Sequence, residues 1–327
     1  MCSEATNLTE WKRKKDNLIR KRVFSNEELN DIHDEVMLRT FEQIFQEYTT
    51  EFGQPPCTFV WFVTGSAGRK EQGILSDQDH GFIYAEESLK YQTYFLNLGQ
   101  FLSDGLNEVG YPYCDGKVMS NNPLWCKSYH EWQNQLESWM LKESWESIRY
   151  LQIFYDSRKM YGNVDLVLEL RQKIHDYKND HPNLLKRFMV NVMRIKKGVG
   201  IFGQFFVERT GTYKGSVHLK HTMYLPYVNS IRLLAIKEGI QATSTLERIK
   251  QLKKIPIYEA FLQPYEEYFT KILEYRITLF REATTYEDVH YLNIRSLTKE
   301  ERHEIKNLMR NGIKLYQRVK RIIEKGC

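Results

Sequence analysis

Apolar residues recur at helical spacing through SNEELNDIHDEVMLRTFEQIFQEY, which begins at Ser25. Leu29, Ile32, Val36, Phe41, Ile44, Phe45 and Tyr48 fall on one helix face, and Ser25 with Glu28 is the signature of a capping box. GQPP at 53–56 ends this helix, because proline lacks the amide hydrogen and fixes φ. The pattern then changes. CTFVWFV from Cys57 is rich in β-branched and aromatic residues and predicts a buried strand, and HGFIY at 80–84 predicts a shorter one. Between 89 and 109 helical spacing returns through Phe95, Leu98, Phe101, Leu102 and Leu106, with Gly110 as the stop.

Beyond about residue 150 the pattern is almost wholly helical. YVNSIRLLAIKEG stops at Gly239, Ser244 with Glu247 caps a new helix in STLERIKQLKKIP that Pro256 closes, and Thr298 with Glu301 caps the last one. Ile305, Leu308, Met309, Ile313, Val319 and Ile322 then form one stripe. No internal repeat or low-complexity segment occurs. The expectation is an α+β protein: a small mixed β-sheet flanked by helices over residues 25–170, then an all-α part over 171–327, with the boundary between 160 and 180. Trp125, Trp132 and Trp139, seven apart, are read as packing residues on one helix face.

Composition narrows the class. A chain of 327 residues can hold one large domain or two ordinary ones, and 42% hydrophobic residues suit a folded chain rather than a disordered one. The net charge of +5 is mild for this length, so no nucleic-acid partner is expected. Cys2, Cys57, Cys114, Cys126 and Cys327 are scattered without a Cys-x-x-Cys pair, which argues against a disulfide framework or zinc site. Reduced thiols fit the cytoplasm. No run of about 18 apolar residues and no apolar leader core is present, so neither export nor a membrane partner is expected. The basic residues at 12–15 and 20–22 make 1–24 a solvated, flexible arm in this reading.

Candidate chemistry lies in WFVTGSAGRKEQGILSDQDHGFIY, residues 61–84. Gly65 and Ser66 let the chain turn sharply after a strand. Gly65 and Gly68 lack the Cβ atoms that would keep a phosphate away from backbone N–H groups. Ser66 adds a hydroxyl donor, and Arg69 a planar cation matched to phosphate oxygens. Asp77 and Asp79 are two apart, so an extended chain points both carboxylates to one face. Two such carboxylates repel, and a hard divalent cation holds them together; Mg2+ binds in this way alongside substrate phosphates. A lone Asp-x-Asp also caps turns, so the joint pattern with Gly65, Ser66 and Arg69 carries the metal reading.

That Gly-Ser turn followed by Asp-x-Asp matches the signature of the nucleotidyltransferase superfamily. GSAGRKEQGILSDQDHGFIY resembles the bacterial nucleotidyltransferases often fused to cyclic-nucleotide-binding and CBS domains, relatives of the uridylyltransferase of the PII signal protein. GYPYCDGKVMSNNPLWCKSYHEWQNQLESWM from Gly110 and IFYDSRKMYGNVDLVLELR from Ile153 look like the rest of that domain. VHLKHTMYLPYVNSIRLLAIKEGIQATSTLERIKQL from Val217 looks like the helical substrate-binding domain that follows. The resemblance implies a nucleotidyltransferase domain over 25–170 and a substrate-binding domain over 171–327, without the regulatory domains that precede them in relatives.

By the same resemblance, Gly65 and Ser66 cradle the β and γ phosphates of an NTP, and Arg69 helps to hold them. Asp77 and Asp79 are catalytic and coordinate Mg2+, with Mn2+ as a substitute. The implied reaction moves a nucleoside monophosphate onto an acceptor hydroxyl and releases pyrophosphate. The implied acceptor is a regulatory protein, in signalling of the PII type, or a small molecule.

Many members of the superfamily add a third carboxylate, often the general base, from a later strand. Asp115 in YCDGKVM and Asp156 in IFYDSR are the candidates. The corresponding loop of the family often lacks an acid at the position of Asp115, which leaves open a two-carboxylate site or a non-catalytic nucleotide sensor. A helical scaffold that recruits a partner protein is a third reading. Glu71 and Gln72 either order the loop or touch substrate. Lys220 faces acceptor, nucleotide or solvent. His218 and His221, three apart on an expected helix, have no acid or cysteine pattern beside them and are read as surface or pocket-lining residues rather than zinc ligands.

Overall fold

The structure, a computed structural model, describes residues 8–22, 25–192 and 196–326, and its first element departs from the sequence reading. Where a solvated, flexible arm was expected over 1–24, residues 8–22 form a helix, α1 (Leu8–Arg22), whose Leu8, Trp11, Lys15 and Ile19 face packs onto the core while Lys12, Arg13 and Lys14 are exposed; the rest of the arm, 1–7 and 23–24, lies outside the described residues. Lys15 interrupts the apolar spacing and so hides it. Its side chain is nevertheless buried, donating to the Gly110 carbonyl at 3.1 Å with its ammonium 4.4 Å from the centre of the Tyr111 ring. Burial lowers its pKa to about 8.

The chain divides into two units, one running to Lys142 and resuming over Tyr150–Ile174, the other formed by Glu143–Arg149 and the residues from His175 on. In the first, α2 (Asn26–Phe52) starts at the expected box: Ser25 Oγ accepts from the Glu28 N–H at 3.1 Å, and the Glu28 carboxylate accepts from the Ser25 N–H at 3.2 Å. Then follow β1 (Phe59–Val63), a single helical turn α3 (Gly65–Gly68), β2 (His80–Tyr84), α4 (Leu89–Glu108) and β3 (Cys126–Ser128). After them come α5 (Tyr129–Lys142), α6 (Trp145–Tyr155), β4 (Arg158–Gly162) and α7 (Asp165–Asp180), of which the start of α6 and the end of α7 are counted with the second unit.

The sheet has the order β3-β2-β1-β4, antiparallel except for the parallel pair of β2 and β3, and is therefore mixed. Both central strands read as continuous apolar runs because both faces are covered. On one face Trp61 stacks on Phe41 of α2 at 4.7 Å, and on the other Phe62 meets Trp132 of α5 and Phe154 of α6 edge-on. The three tryptophans are buried in mutual contact, but not on one helix. Trp125 precedes β3, while Trp132 and Trp139 lie on α5.

The second unit holds α8 (Asn183–Asn191), α9 (Leu225–Glu238), α10 (Thr245–Lys253), α11 (Pro256–Thr278) and α12 (Lys299–Gly326). Gly239 closes α9 in the left-handed region, Ser244 caps α10, and Thr298 and Glu301 exchange both capping bonds at α12. The all-α expectation needs one correction. Ser216–His218 (β5) pairs antiparallel with Tyr291–Asn293 (β6) as a two-stranded ribbon, too short to stand out as a strand pattern. Among the described residues no helix is long and apolar enough to cross a membrane.

Candidate active site

Strand β1 ends at Val63, paired with His80 of β2, and the Thr64 N–H donates to the Asp79 carbonyl at 2.9 Å. The ladder thus runs one residue beyond the strands, and it brings the Gly-Ser turn and the Asp-x-Asp stretch to the same end of the sheet. Gly65 has φ +58°, a left-handed conformation that costs other residues about 1–2 kcal/mol. Its second reason to be glycine is the neighbour: a Cβ there would meet Asp79 Oδ2 at 2.1 Å. At Gly68 the occupant is the chain itself, since a Cβ would lie 2.1 Å from the Asp156 carbonyl oxygen. The space at 68 therefore accommodates backbone, where the sequence suggested a phosphate. Ser66 Oγ sits 3.2 Å from Ser76 Oγ.

From 77 to 80 burial alternates. Asp77 and Asp79 are half-buried, Gln78 and His80 fully buried, as a two-residue period requires. The Gln78 amide donates to the carbonyls of Ser103 at 3.0 Å and Tyr111 at 2.9 Å, and its oxygen accepts from His80 Nε2 at 2.8 Å. Backbone bonds from Gln78 N–H to the Pro112 carbonyl and from His80 N–H to that of Val118 carry the loop at 112–118 alongside the acids. Cys114 arrives there. Ligand atoms of Asp77, Asp79 and Cys114 lie within 4.8 Å of one another, and among the described residues no other group of three His, Cys, Asp or Glu side chains converges so closely. Burial, then the facing Asp79 carboxylate and a hydrogen bond to it, push the Cys114 thiol well up.

Neither expected third carboxylate joins this group. Asp115 is exposed on the turn beside Cys114. Asp156 is fully buried and accepts from Arg69 Nη1 at 2.7 Å, while Arg69 Nε donates to Glu71 at 2.9 Å. Arg69, expected on phosphate, is thus 6% exposed in a buried ion-pair network that ties the loop after α3 to the end of α6. Glu71 and Gln72 order that loop: the Glu71 N–H donates to the Ser66 carbonyl, and the Gln72 N–H to Asn30 Oδ1 at 2.8 Å.

His33 of α2 completes the support. Nε2 donates to the Gly73 carbonyl at 2.9 Å, and Nδ1 lies 2.9 Å from the Tyr111 hydroxyl, from which the neutral ring accepts. Burial lowers its pKa to about 3, and that of His80 likewise. Cys114, Gln78, His80 and His33 were missed by sequence reasoning. None of the four carries a distinctive local motif, and Cys114 has no Cys-x-x-Cys partner.

In the second unit His218 lies at the end of β5 and His221 in a π-helical turn (Lys220–Tyr224), so the two do not share a regular helix face. Their rings are 4.3 Å apart, and His290 stacks on His218 at 5.9 Å. Lys220 Nζ is 5.8 Å from the centre of the Tyr286 ring.

Comparison with known families gives two matches. Residues 10–146 match a family model described as "putative nucleotidyltransferase DUF294", and residues 182–323 match one described as "putative nucleotidyltransferase substrate binding domain". No curated protein gives a significant match.

Proposed function

Because the chain belongs to this nucleotidyltransferase family, matched in both of its parts, we propose that it transfers a nucleoside monophosphate from an NTP to an acceptor hydroxyl with release of pyrophosphate. The observation that carries the reading is the convergence of Asp77 and Asp79 beside the Gly65–Ser66 turn, at one end of the β1–β2 ladder. Two half-buried carboxylates from one extended stretch are a donor set that fits a divalent cation, Mg2+ or Mn2+. When bound, the cation neutralises charge on the nucleotide phosphates and the departing pyrophosphate.

The chain supplies the positioning. Gln78, anchored between the acids, and His80, which follows them and donates to it, hold both carboxylates on one face. Gly65 leaves room for Asp79, and with Ser66 it is assigned to the phosphates. Arg69, Glu71 and Asp156 fix the loop that carries the acids. The chemistry then rests on placement and charge, with no covalent protein nucleophile. The acceptor is assigned to the second unit, with Lys220 as a candidate contact; a regulatory protein, as in PII uridylylation, or a small molecule would fit. The cytoplasm is the proposed setting.

Incubation with each labelled NTP, Mg2+ and cell extract tests this. Transfer should fall at least about a hundredfold in the Asp77→Asn, Asp79→Asn protein. Unchanged transfer sinks the assignment. The second reading, a nucleotide sensor, is favoured by the placement of Asp115 and Asp156 away from the paired acids. It predicts nucleotide binding by calorimetry without any pyrophosphate release.

A further inference from the structure

We propose that Cys114 is a third ligand of the divalent cation held by Asp77 and Asp79, making a mixed carboxylate–thiolate site. The inference rests on the metal reading above and deepens it. Its sulfur and one oxygen of each carboxylate are mutually within 4.8 Å, from two separate segments of chain.

The approach is built into the fold. Gln78 N–H to the Pro112 carbonyl at 3.1 Å and His80 N–H to the Val118 carbonyl at 3.0 Å clamp the loop at both of its ends. A turn closed by the Lys117 N–H on the Cys114 carbonyl at 2.9 Å sets the cysteine between those clamps. Asp115, one residue on, is exposed and outside the group. The third corner of the site, where an oxygen ligand was expected, is thus occupied by sulfur.

Sulfur changes which cation the site prefers. Two carboxylates alone suit Mg2+ or Mn2+, whereas a thiolate favours softer and more strongly binding ions such as Co2+, Zn2+ and Cd2+. As the metal–sulfur bond forms, the thiol proton is released to solvent. Occupation by such an ion shields the thiol from electrophiles.

Titration of the full chain with Co2+ and Cd2+, read by thiolate-to-metal charge-transfer absorption, tests the assignment. Wild type should develop the band, Cys57→Ser and Cys126→Ser should keep it, and Cys114→Ser should lose it with at least about tenfold weaker Cd2+ binding. Cys114→Asp, an all-oxygen set, should shift preference back towards Mg2+. A band of wild-type strength in Cys114→Ser overturns the inference. A second readout needs no variant: Cd2+ or Zn2+ should slow alkylation of Cys114, followed by peptide mass spectrometry, but not that of Cys57, and equal rates with and without metal overturn it. If Asp77→Asn abolishes nucleotidyl transfer while Cys114→Ser leaves the band intact, the thiolate ligand fails and the function stands. If wild type binds no divalent cation, both fall.

Discussion

The carboxylate of Asp79 lies over Gly65, filling the space in which any other residue would place its β-carbon. Two elements far apart in chemistry, a turn and an acid, therefore share one volume. Gly65→Ala should lose about 1–2 kcal/mol from its left-handed backbone and should also push Asp79 aside, weakening cation binding about tenfold or more. Gly68→Ala strikes the Asp156 carbonyl instead and should cost about 1–3 kcal/mol while the folded fraction keeps its cation affinity. Urea unfolding and Mn2+ calorimetry on the two proteins separate these effects. Wild-type affinity in Gly65→Ala would show that Asp79 does not depend on that space.

Arg69 is expected to act through stability. Removing it leaves Glu71 and Asp156 buried without their shared cation, so Arg69→Ala should lose about 3–5 kcal/mol. The triple variant Arg69→Met, Glu71→Gln, Asp156→Asn should lose clearly less, because the three charges that pair with one another are removed together. A direct phosphate contact would give the opposite signature in Arg69→Ala: little change in the denaturant midpoint and a raised KM for the NTP.

Acid should unfold the first unit through its buried histidines. His33 and His80 have folded-state pKa values near 3 against an ordinary 6.5, so between those limits the unfolded chain binds more protons than the folded one. Their contribution to stability is full above about pH 6.5 and is lost as pH falls towards 3, at about 1.4 kcal/mol per pH unit for each ring. His33→Gln keeps a donor and an acceptor but cannot titrate, and its unfolding free energy should fall less steeply between pH 6 and 4. Parallel slopes for the variant and wild type would count against the buried neutral ring.

In the second unit the Tyr227 hydroxyl donates to the Leu308 carbonyl at 2.7 Å, linking α9 to α12 in a buried position. Tyr227→Phe should cost about 0.5–1.5 kcal/mol by thermal unfolding. No change in midpoint would mean that the bond contributes nothing net.

Much of this protein was determined by its sequence at short range. The capping pairs Ser25 with Glu28 and Thr298 with Glu301, the stop at Gly239 and the strand at HGFIY all depend on residues within one helical turn or one strand of each other. For the same reason the paired face of Asp77 and Asp79 was legible, since a two-residue period suffices to align them. The α1 helix was not, because one buried lysine breaks its apolar stripe, and its burial against Gly110 and Tyr111 is a tertiary contact.

Only the tertiary structure decided what surrounds the acids. Asp156 and Arg69 are 87 residues apart, and a charge paired at that distance along the chain looks the same in sequence as one that awaits a ligand. Cys114 reaches Asp77 and Asp79 because two backbone hydrogen bonds lay its loop along their stretch of chain, and such bonds carry no side-chain signature. Short-range patterning specified the elements and the pair of acids. Long-range packing chose which charges are neutralised inside the protein and which donors converge on the site.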